Sequence, residues 1–456
     1  MEQSAIRNLD DFRRYQEALA RTFQLIEQSD VHSESRDEFQ ALARDRQNRV
    51  EALLDHFGAP HRTLPIVHVA GTSGKGSTAT ALASMLTAGK YRTGLHVSPY
   101  LQAATEKIQI DGKLIAGPDF ADLVDLVLET AAGHQQFRRV PISYAEAWLV
   151  MTLVWFSQQN VDIVVLETGA GGRFDMTNVV NPLLSVITPI GLDHAETLGP
   201  TIEAIAWHKA GIIKPGVPVV TSVNDAAALA IIEAEATKHG VDVIRVPGSD
   251  AIRRHVSEPD QATFQDSNLA LATRAVEELD WLGFTVTESQ RRSGLNQYRI
   301  PGRAERMPTM RNVLLDGAHN PQKMKALSDS LHHLARVRGD GRRTVVFGAL
   351  QTKNVKEMLA LLVPMADQFI FTEPSVFGKI PCDPAELLAT ADSLGFSGSS
   401  IIVSGPVDAL IAGLEAEEDD SSVVVTGSMY LVGNVRDLWY PTDQIVVQRT
   451  SWPATD

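Results

Sequence analysis

The chain has 456 residues, a formal net charge of −15 at pH 7, 44% hydrophobic residues and 21% charged residues. Its length predicts two or three domains, and its negative charge argues against general nucleic-acid binding. The single cysteine, Cys382, excludes an intrachain disulfide and any multi-cysteine metal cluster.

The N-terminal part is predicted to be helical, with no targeting signal. Residues 9–57 form two or three charged amphipathic helices, because apolar side chains recur there at helical spacing. The first residues lack the basic-then-apolar layout of a signal peptide, and the longest apolar run, residues 148–156, is too short to span a bilayer. We therefore expect a cytoplasmic protein with no membrane partner.

Beyond these helices, β-like apolar runs alternate with helical stretches, which predicts an α/β fold with mainly parallel sheets. The first series of runs comprises residues 66–70, 162–166, 184–187 and 217–220. The second series comprises residues 312–315, 344–347, 368–371, 401–403 and 422–425. The Pro-Gly pair within residues 298–303 marks the predicted linker between them. We therefore predict a large P-loop-type domain over residues 1–300 and a smaller, Rossmann-like α/β domain over residues 301–456.

The first run leads into a glycine-rich loop, GTSGKGST, at residues 71–78. Its glycines allow successive backbone N–H groups to surround an anion, and the helix predicted to follow directs its positive end at the same place. Lys75 is placed to reach nucleotide phosphates, and the hydroxyl of Ser77 or Thr78 is a candidate Mg²⁺ ligand. The loop is not a standard P-loop, because Val69 and Gly76 stand where that pattern needs a glycine and a hydroxyl.

Polar side chains also follow later runs, at the edge where open α/β sheets bind ligands. In the large domain these residues are Glu167, Asp193 and His194. In the smaller domain they are Asp316, His319 and Ser428. Taken singly, each also fits a structural role, such as a salt bridge from Glu167 to Arg173, a hydrogen-bonded structural His194, or a turn beginning at Asp316.

Together these stretches resemble the folylpolyglutamate synthase and dihydrofolate synthase family, a branch of the Mur-ligase-like ATP-dependent amide-forming enzymes. The resemblance covers about residues 50–436. It rests on the motifs HVAGTSGKGS, LETGAGGRFDMTNVV, ITPIGLDHAETLG, KAGIIKPGVPVV, PGR, LLDGAHNP and TGSMYLVGNVR, in family order.

The resemblance implies a role for each matching residue. The implied ATP-binding residues are Gly71, Thr72, Ser73, Gly74, Lys75, Gly76, Ser77, Thr78, Asn268, Arg303 and Asp316. The implied ligands for Mg²⁺, or for Mg²⁺ and a second divalent ion, are Ser77, Glu167, His194 and a carbamylated Lys209. Lys75, His194 and Lys209 are the implied catalytic residues. His319 and Ser428 fall where the family helps to bind glutamate.

The implied activity is the ATP-dependent addition of L-glutamate to a folate or dihydropteroate carboxylate through an acyl phosphate, performed by a monomer. This chain departs from the usual family sequence at Ser73, at Tyr100, and at residues 105–108 and 173–178. The last three positions lie in regions that hold the pterin substrate in the family. The alternatives are another Mur-ligase-like amino-acid ligase acting on a non-folate carboxylate, and a P-loop kinase or ATPase.

Overall fold

The structure is a computed structural model that describes residues 2–27, 36–193, 195–246, 263–308, 312–338, 341–415 and 421–454. The described residues divide into two compact units. Unit 1 comprises those within Met1–Ile252, Ser267–Arg299 and Asp443–Ser451. Unit 2 comprises those within Arg253–Asp266, Ile300–Thr442 and Trp452–Asp456.

Helices and strands alternate along most of the chain. The helices are α1 (Glu2–Glu27), α2 (Arg36–His56), α3 (Pro60–Thr63), α4 (Lys75–Ala88), α5 (Gly117–Gly133), α6 (Tyr144–Gln158), α7 (Ala195–Leu198), α8 (Ile202–Ala210), α9 (Ala226–Lys238), α10 (Thr263–Asp280), α11 (Glu288–Gln297), α12 (Pro321–Arg338), α13 (Val355–Leu362), α14 (Pro384–Ser393), α15 (Pro406–Glu415), α16 (Met429–Arg436) and α17 (Thr442–Gln448). The strands are β1 (Ile66–Ala70), β2 (Thr93–His96), β3 (Ile108–Ile110), β4 (Lys113–Leu114), β5 (Ile163–Glu167), β6 (Leu184–Ile187), β7 (Val219–Thr221), β8 (Val243–Arg245), β9 (Glu305–Arg306), β10 (Val313–Leu315), β11 (Arg343–Phe347), β12 (Gln368–Phe371), β13 (Ser399–Ile402) and β14 (Ser422–Thr426).

Unit 1 contains an eight-stranded sheet in the order β4-β3-β2-β5-β1-β6-β7-β8. Strands β2, β5, β1, β6, β7 and β8 run parallel, and β3 and β4 add an antiparallel edge. Every residue of β1 and β5 is buried, as in parallel sheets that are covered on both faces. In register, Val69 lies beside Glu167 and Ala70 beside Ile187, so the carboxyl ends of β5, β1 and β6 lie side by side.

Unit 2 contains a six-stranded sheet in the order β13-β12-β11-β14-β10-β9. It is parallel except for β9, which pairs antiparallel with β10. A separate apolar core, which includes Phe347, Phe369 and Phe371, packs on this sheet. The ends of β10 and β14 lie together, because the Asp316 N–H donates to the Val425 carbonyl at 3.0 Å.

The predicted α/β class with two mainly parallel sheets is confirmed. All nine predicted runs overlap strands of the structure, whereas β2, β3, β4, β8 and β9 were not predicted. The apolar run at residues 148–156 lies within α6 and is almost entirely buried. Over the described ranges, no helix is long and apolar enough to cross a membrane. The assignment of ATP to residues 1–300, and of glutamate and part of the ATP site to residues 301–456, stays a prediction.

Candidate active site

The glycine-rich loop follows β1 in a conformation that requires its glycines. Gly71 has φ +149° and Gly74 has φ +85°. A Cβ atom at Gly71 would lie 1.8 Å from Thr188 Oγ1, and one at Gly74 would lie 2.1 Å from Asn268 Oδ1. Both positions therefore exclude larger residues on steric and conformational grounds.

Only part of the loop backbone can face an anion. The N–H groups of Thr72 and Ser73 donate to the Pro189 carbonyl at 3.0 and 3.3 Å, which fixes the loop to the turn after β6. The helix α4 begins at Lys75, and its first backbone N–H groups have no acceptor within the helix. The candidate anion site is therefore the N-terminus of α4, and the ATP-binding roles predicted for Thr72 and Ser73 cannot use their amides in this conformation.

A buried carboxylate lies beside this helix start. Glu167, the last residue of β5, is 3% exposed, and its Oε1 lies 4.0 Å from Lys75 Nζ. Its Oε2 accepts the Ser98 N–H at 2.9 Å, and a Cβ at Gly76 would lie 3.4 Å from the same oxygen. The carboxylate therefore lies against the first turn of α4, the turn that also carries the buried Ser77.

Asn268 and Lys209 complete the surroundings of the loop. Asn268 is buried and its side chain packs over Gly74. Lys209, buried in α8, donates from Nζ to the Gly71 carbonyl at 2.6 Å. Burial lowers the pKa of Lys209 to about 7 and the charge of Lys75 acts in the same direction, whereas nearby aspartates oppose it. This environment favours the neutral amine of Lys209 over its charged form.

A buried polar chain lies behind the loop. Thr177 Oγ1 donates to Asp175 Oδ1 at 2.6 Å, and it lies 2.8 Å from His68 Nε2. Because the hydroxyl has one proton, His68 donates from Nε2. Burial lowers the pKa of His68 to about 3, so its ring is neutral, whereas burial raises the pKa of Asp175.

Unit 2 presents a second cluster at the end of β10. Asp316 accepts the N–H groups of Ala304 and Ala318, both at 2.8 Å, which ties the turn after β10 to the segment that precedes β9. A Cβ at Gly317 would lie 2.1 Å from Met429 Sδ, so this turn also packs directly on the start of α16. The buried Ser428 caps α16, accepting the Tyr430 N–H at 3.2 Å.

Three positively charged side chains act on His319 in this cluster. Lys323 Nζ lies 2.9 Å from His319 Nε2, and the Gly317 carbonyl oxygen lies 2.8 Å from His319 Nδ1. Burial lowers the pKa of His319 well below its ordinary range, and the charges of Lys323, Arg303 and Lys353 lower it further. Burial raises the pKa of Asp316, an effect that the charge of Arg303 partly offsets.

The structure thus brings most predicted residues into two groups. Around the loop of unit 1 lie Lys75, Ser77, Glu167, Lys209 and Asn268. In unit 2, the turn after β10 joins Arg303, Asp316, His319 and Ser428. His194, a predicted metal ligand and catalytic residue, lies outside the described residues. The individual roles of all these residues stay predictions.

The comparisons with known proteins agree with this architecture. Residues 69–274 match the family model for the Mur ligase middle domain, and residues 303–438 match that for the dihydrofolate synthetase C-terminal domain. The dihydrofolate synthase/folylpolyglutamate synthase of Bacillus subtilis is 32% identical over 411 residues, which cover 85% of this chain and 93% of that protein. The chain belongs to the dihydrofolate synthase and folylpolyglutamate synthase family.

Solved structures of family members share the fold. Mycobacterium tuberculosis folylpolyglutamate synthase complexed with ADP matches with a TM-score of 0.81 and 27% identity, covering 94% of this chain and 98% of that one. Escherichia coli FolC in complex with DHPP and ADP matches with a TM-score of 0.73 and 26% identity, covering 86% and 92%. The family resemblance predicted from the sequence is therefore confirmed.

Two features of these candidate sites are not predicted by the sequence. The chain of Asp175, Thr177 and His68 joins residues that are far apart in sequence, so no local pattern reveals it. Lys323 lies in the first turn of α12, four residues after His319, and this short spacing could have indicated their contact.

The polar chain behind the loop predicts different costs for two buried threonines. Thr177→Val should lower the free energy of unfolding by about 1–3 kcal/mol, because Asp175 and His68 lose a buried partner. Thr168→Val is the matched control, since the Thr168 hydroxyl is buried without a hydrogen-bond partner among the described residues. Urea denaturation followed by circular dichroism should show a lower midpoint for Thr177→Val alone; equal midpoints for both variants would contradict this account.

Proposed function

We propose that this protein is an ATP-dependent ligase that joins L-glutamate to a carboxylate of a folate or of dihydropteroate. The observation that carries the proposal is the loop site, in which the α4 N-terminus, Lys75 and the buried Glu167 converge in a chain of this ligase family. Relatives named dihydrofolate synthase/folylpolyglutamate synthase, and structures of family members with ADP, support it.

The reaction needs carboxylate activation, because a carboxylate is a poor electrophile toward an amine. In the first step of the proposed reaction, the γ-phosphoryl group passes from ATP to a carboxylate oxygen of the folate, and ADP leaves. The glutamate amine then attacks the acyl carbon, loses a proton, and displaces inorganic phosphate. Lys75 and the backbone N–H groups of α4 stabilise the charge on the transferred group through fixed positions.

The residues beside the loop fit Mg²⁺. Glu167 and Ser77 offer a carboxylate and a hydroxyl, the hard oxygen donors that Mg²⁺ prefers, and nucleotide phosphates commonly supply further ligands. The described residues contain no group of three or more His, Cys, Asp and Glu side chains that could hold a metal ion by themselves. When bound, Mg²⁺ would neutralise phosphate charge; His194 remains a predicted ligand.

The environment of Lys209 supports its predicted carbamylation. A neutral amine attacks carbon dioxide, and burial lowers the pKa of Lys209 to about 7. Carbamylation would convert this lysine into a carboxylate-like group beside the Gly71 backbone, with which it now shares a hydrogen bond. Native mass spectrometry in bicarbonate should show a carbon dioxide adduct that Lys209→Ala lacks; an adduct retained in that variant would disprove the assignment.

The remaining assignments are also proposals. Arg303 and Asp316 help to bind ATP, and His319 and Ser428 help to bind glutamate. We further propose that the enzyme works as a cytoplasmic monomer on small-molecule substrates.

The central test is component dependence. With ATP, Mg²⁺, L-glutamate and either dihydropteroate or a tetrahydrofolate, phosphate release should require every component, and mass spectrometry should detect the acceptor extended by glutamate. Phosphate release that continues without glutamate would favour a kinase or ATPase. Glutamate-dependent release that requires a non-folate carboxylate would favour another Mur-ligase-like enzyme.

Lys75→Ala should lower kcat by at least about 10²-fold, because it removes a fixed positive charge from the phosphate site. Lys113→Ala, which removes an exposed lysine from β4, should leave kcat unchanged. Steady-state phosphate release measures both variants, and circular dichroism verifies that each is folded. A Lys75→Ala enzyme with wild-type turnover would show that the loop does not have the proposed role.

A further inference from the structure

The loop after β2, residues 97–107, connects the candidate phosphate site to the N-terminal helix α1. Near its start, the Ser98 N–H donates to Glu167 Oε2 at 2.9 Å. Further along, the Ala104 N–H donates to the phenol oxygen of Tyr15, a buried residue of α1, at 2.8 Å. This β2 loop is therefore restrained near one end by the site and in its second half by a side chain from the first helix.

The β2 loop is closed on itself, so a restraint on one part of it acts on the whole. Its two ends meet where the Val97 N–H donates to the Lys107 carbonyl at 3.3 Å. Inside the loop, the buried Glu106 accepts the N–H groups of Leu101 and Gln102 at Oε2, at 2.6 and 3.3 Å. Compact loops of this kind are stabilised by their own side chains. The hydrogen bond from α1 therefore also restrains the start of the loop, which lies against the site.

The ring of Tyr15 is fixed by aromatic packing. It is 2% exposed and lies against Phe12 and Phe120, with ring centroids 5.8 and 5.7 Å away. Phe120 stacks in turn on Trp148 of α6 at 5.5 Å, and the Lys107 ammonium lies 3.8 Å from the centre of the Trp148 ring. The last residue of the β2 loop and the phenol that restrains this loop thus belong to one packed cluster.

The loop after β5, residues 168–178, is held in a corresponding way by α2. Gln47 Nε2 donates to the backbone carbonyls of Asp175 and Arg173, at 2.8 and 3.3 Å. Burial raises the pKa of the Asp175 carboxyl, an effect that hydrogen bonds and the charge of Lys75 oppose. Gln47 therefore holds the part of this β5 loop that interacts electrostatically with the lysine of the candidate phosphate site.

The position of α2 is fixed by a buried arginine. Arg49 is 5% exposed, and its Nη2 donates to the carbonyls of Val140 and Pro141 at 3.1 and 3.0 Å. The same nitrogen lies 3.4 Å from Glu146 Oε2, and Glu146 is also buried. Displacing a buried charge from such partners is strongly destabilising. Gln47, two residues earlier on the same helix, therefore projects from a fixed backbone.

Both restraints originate outside the parts of the chain that match the family models. Those matches cover residues 69–274 and 303–438, whereas Tyr15 and Gln47 lie before the first of them. The β2 and β5 loops lie inside the first match. The N-terminal helices thus supply hydrogen bonds to two loops of the matched domain.

Building on the proposed ligase function, we propose that Tyr15 and Gln47 are positioning residues, through which α1 and α2 hold the β2 and β5 loops in the conformation that aligns the acceptor carboxylate with ATP. Each residue acts through the backbone of its loop and not through contact with a substrate. Transfer of a phosphoryl group depends mainly on alignment and fixed charges, so a loosened loop lowers turnover.

Hydrogen–deuterium exchange measured by mass spectrometry tests the two restraints without substrates. Tyr15→Phe keeps the ring and removes the acceptor of the Ala104 N–H. It should speed exchange in peptides from the β2 loop about three- to tenfold, as expected for the loss of one hydrogen bond, and leave the β5 loop unchanged. Gln47→Met removes the amide donor and should show the converse pattern. A general loss of stability would instead speed exchange in both loops.

Steady-state kinetics tests the effect on the reaction. The acceptor is whichever of dihydropteroate and tetrahydrofolate the wild-type enzyme extends. Tyr15→Phe and Gln47→Met should each lower kcat about three- to tenfold and leave the KM for glutamate within about twofold, because the loops align the acceptor with ATP. The double variant should show the product of the two effects, since the restraints act on separate loops.

Thr22→Val and Asn48→Ala are the matched controls. Thr22 is buried in α1, and its hydroxyl donates to the Leu19 carbonyl of the same helix at 2.8 Å. Asn48 follows Gln47 in α2 and is exposed. Both variants should retain the wild-type exchange rates of the two loops and the wild-type kcat.

The outcomes separate this inference from the proposed ligase function. Wild-type exchange in both loops of Tyr15→Phe and Gln47→Met, or faster exchange throughout unit 1, would overturn the positioning roles. A wild-type kcat in variants whose loops exchange faster would also overturn them. Phosphate release by the wild-type enzyme without glutamate would overturn the ligase function, and the exchange pattern does not depend on that result.

Discussion

The buried carboxylate of Glu167 is the constraint on which the loop site depends. A carboxylate that is 3% exposed is destabilising unless charge and hydrogen bonds compensate it, and here Lys75 and the Ser98 N–H do so. The start of α4 and the turn after β2 must therefore converge on the end of β5. Gly76, where the standard P-loop has a hydroxyl, lies in this contact, and a Cβ there would be 3.4 Å from Glu167 Oε2.

The parts of the fold that the sequence predicts are those with one unambiguous signal. Strands such as β1, β5 and β11 are buried on both faces, so they read as continuous apolar runs. By contrast, β2 contains glycine and histidine within four residues, and β9 has only two residues, both of them charged. Their strand conformation depends on pairing with neighbours, which no local pattern encodes.

In the candidate site too, some features are predicted by the sequence and others are not. Residues in contiguous motifs, such as Lys75, Glu167 and Asp316, were predicted because glycine turns and strand ends mark them. Their hydrogen bonds were not predicted, since these depend on the conformation of the folded chain: the backbone N–H groups of Thr72 and Ser73 donate to the Pro189 carbonyl instead of facing an anion. A motif thus locates a residue without specifying which of its atoms is available.

The two clusters would hold anionic substrates with different kinds of positively charged or dipolar groups. A protein with a formal net charge of −15 repels ATP, folates and glutamate at long range, so each anion must be held by local groups. In unit 1 the device is mainly backbone, because the N-terminus of α4 supplies dipoles and Lys75 adds a single nearby charge. In unit 2 the nearby positive charges belong to side chains, because Arg303, Lys323 and Lys353 all act on His319. A helix N-terminus suits a phosphate group with several oxygens, because several backbone N–H groups can donate to it. The proposal for unit 1 therefore rests on backbone dipoles beside one lysine, and the proposal for unit 2 rests on charged side chains around the turn after β10.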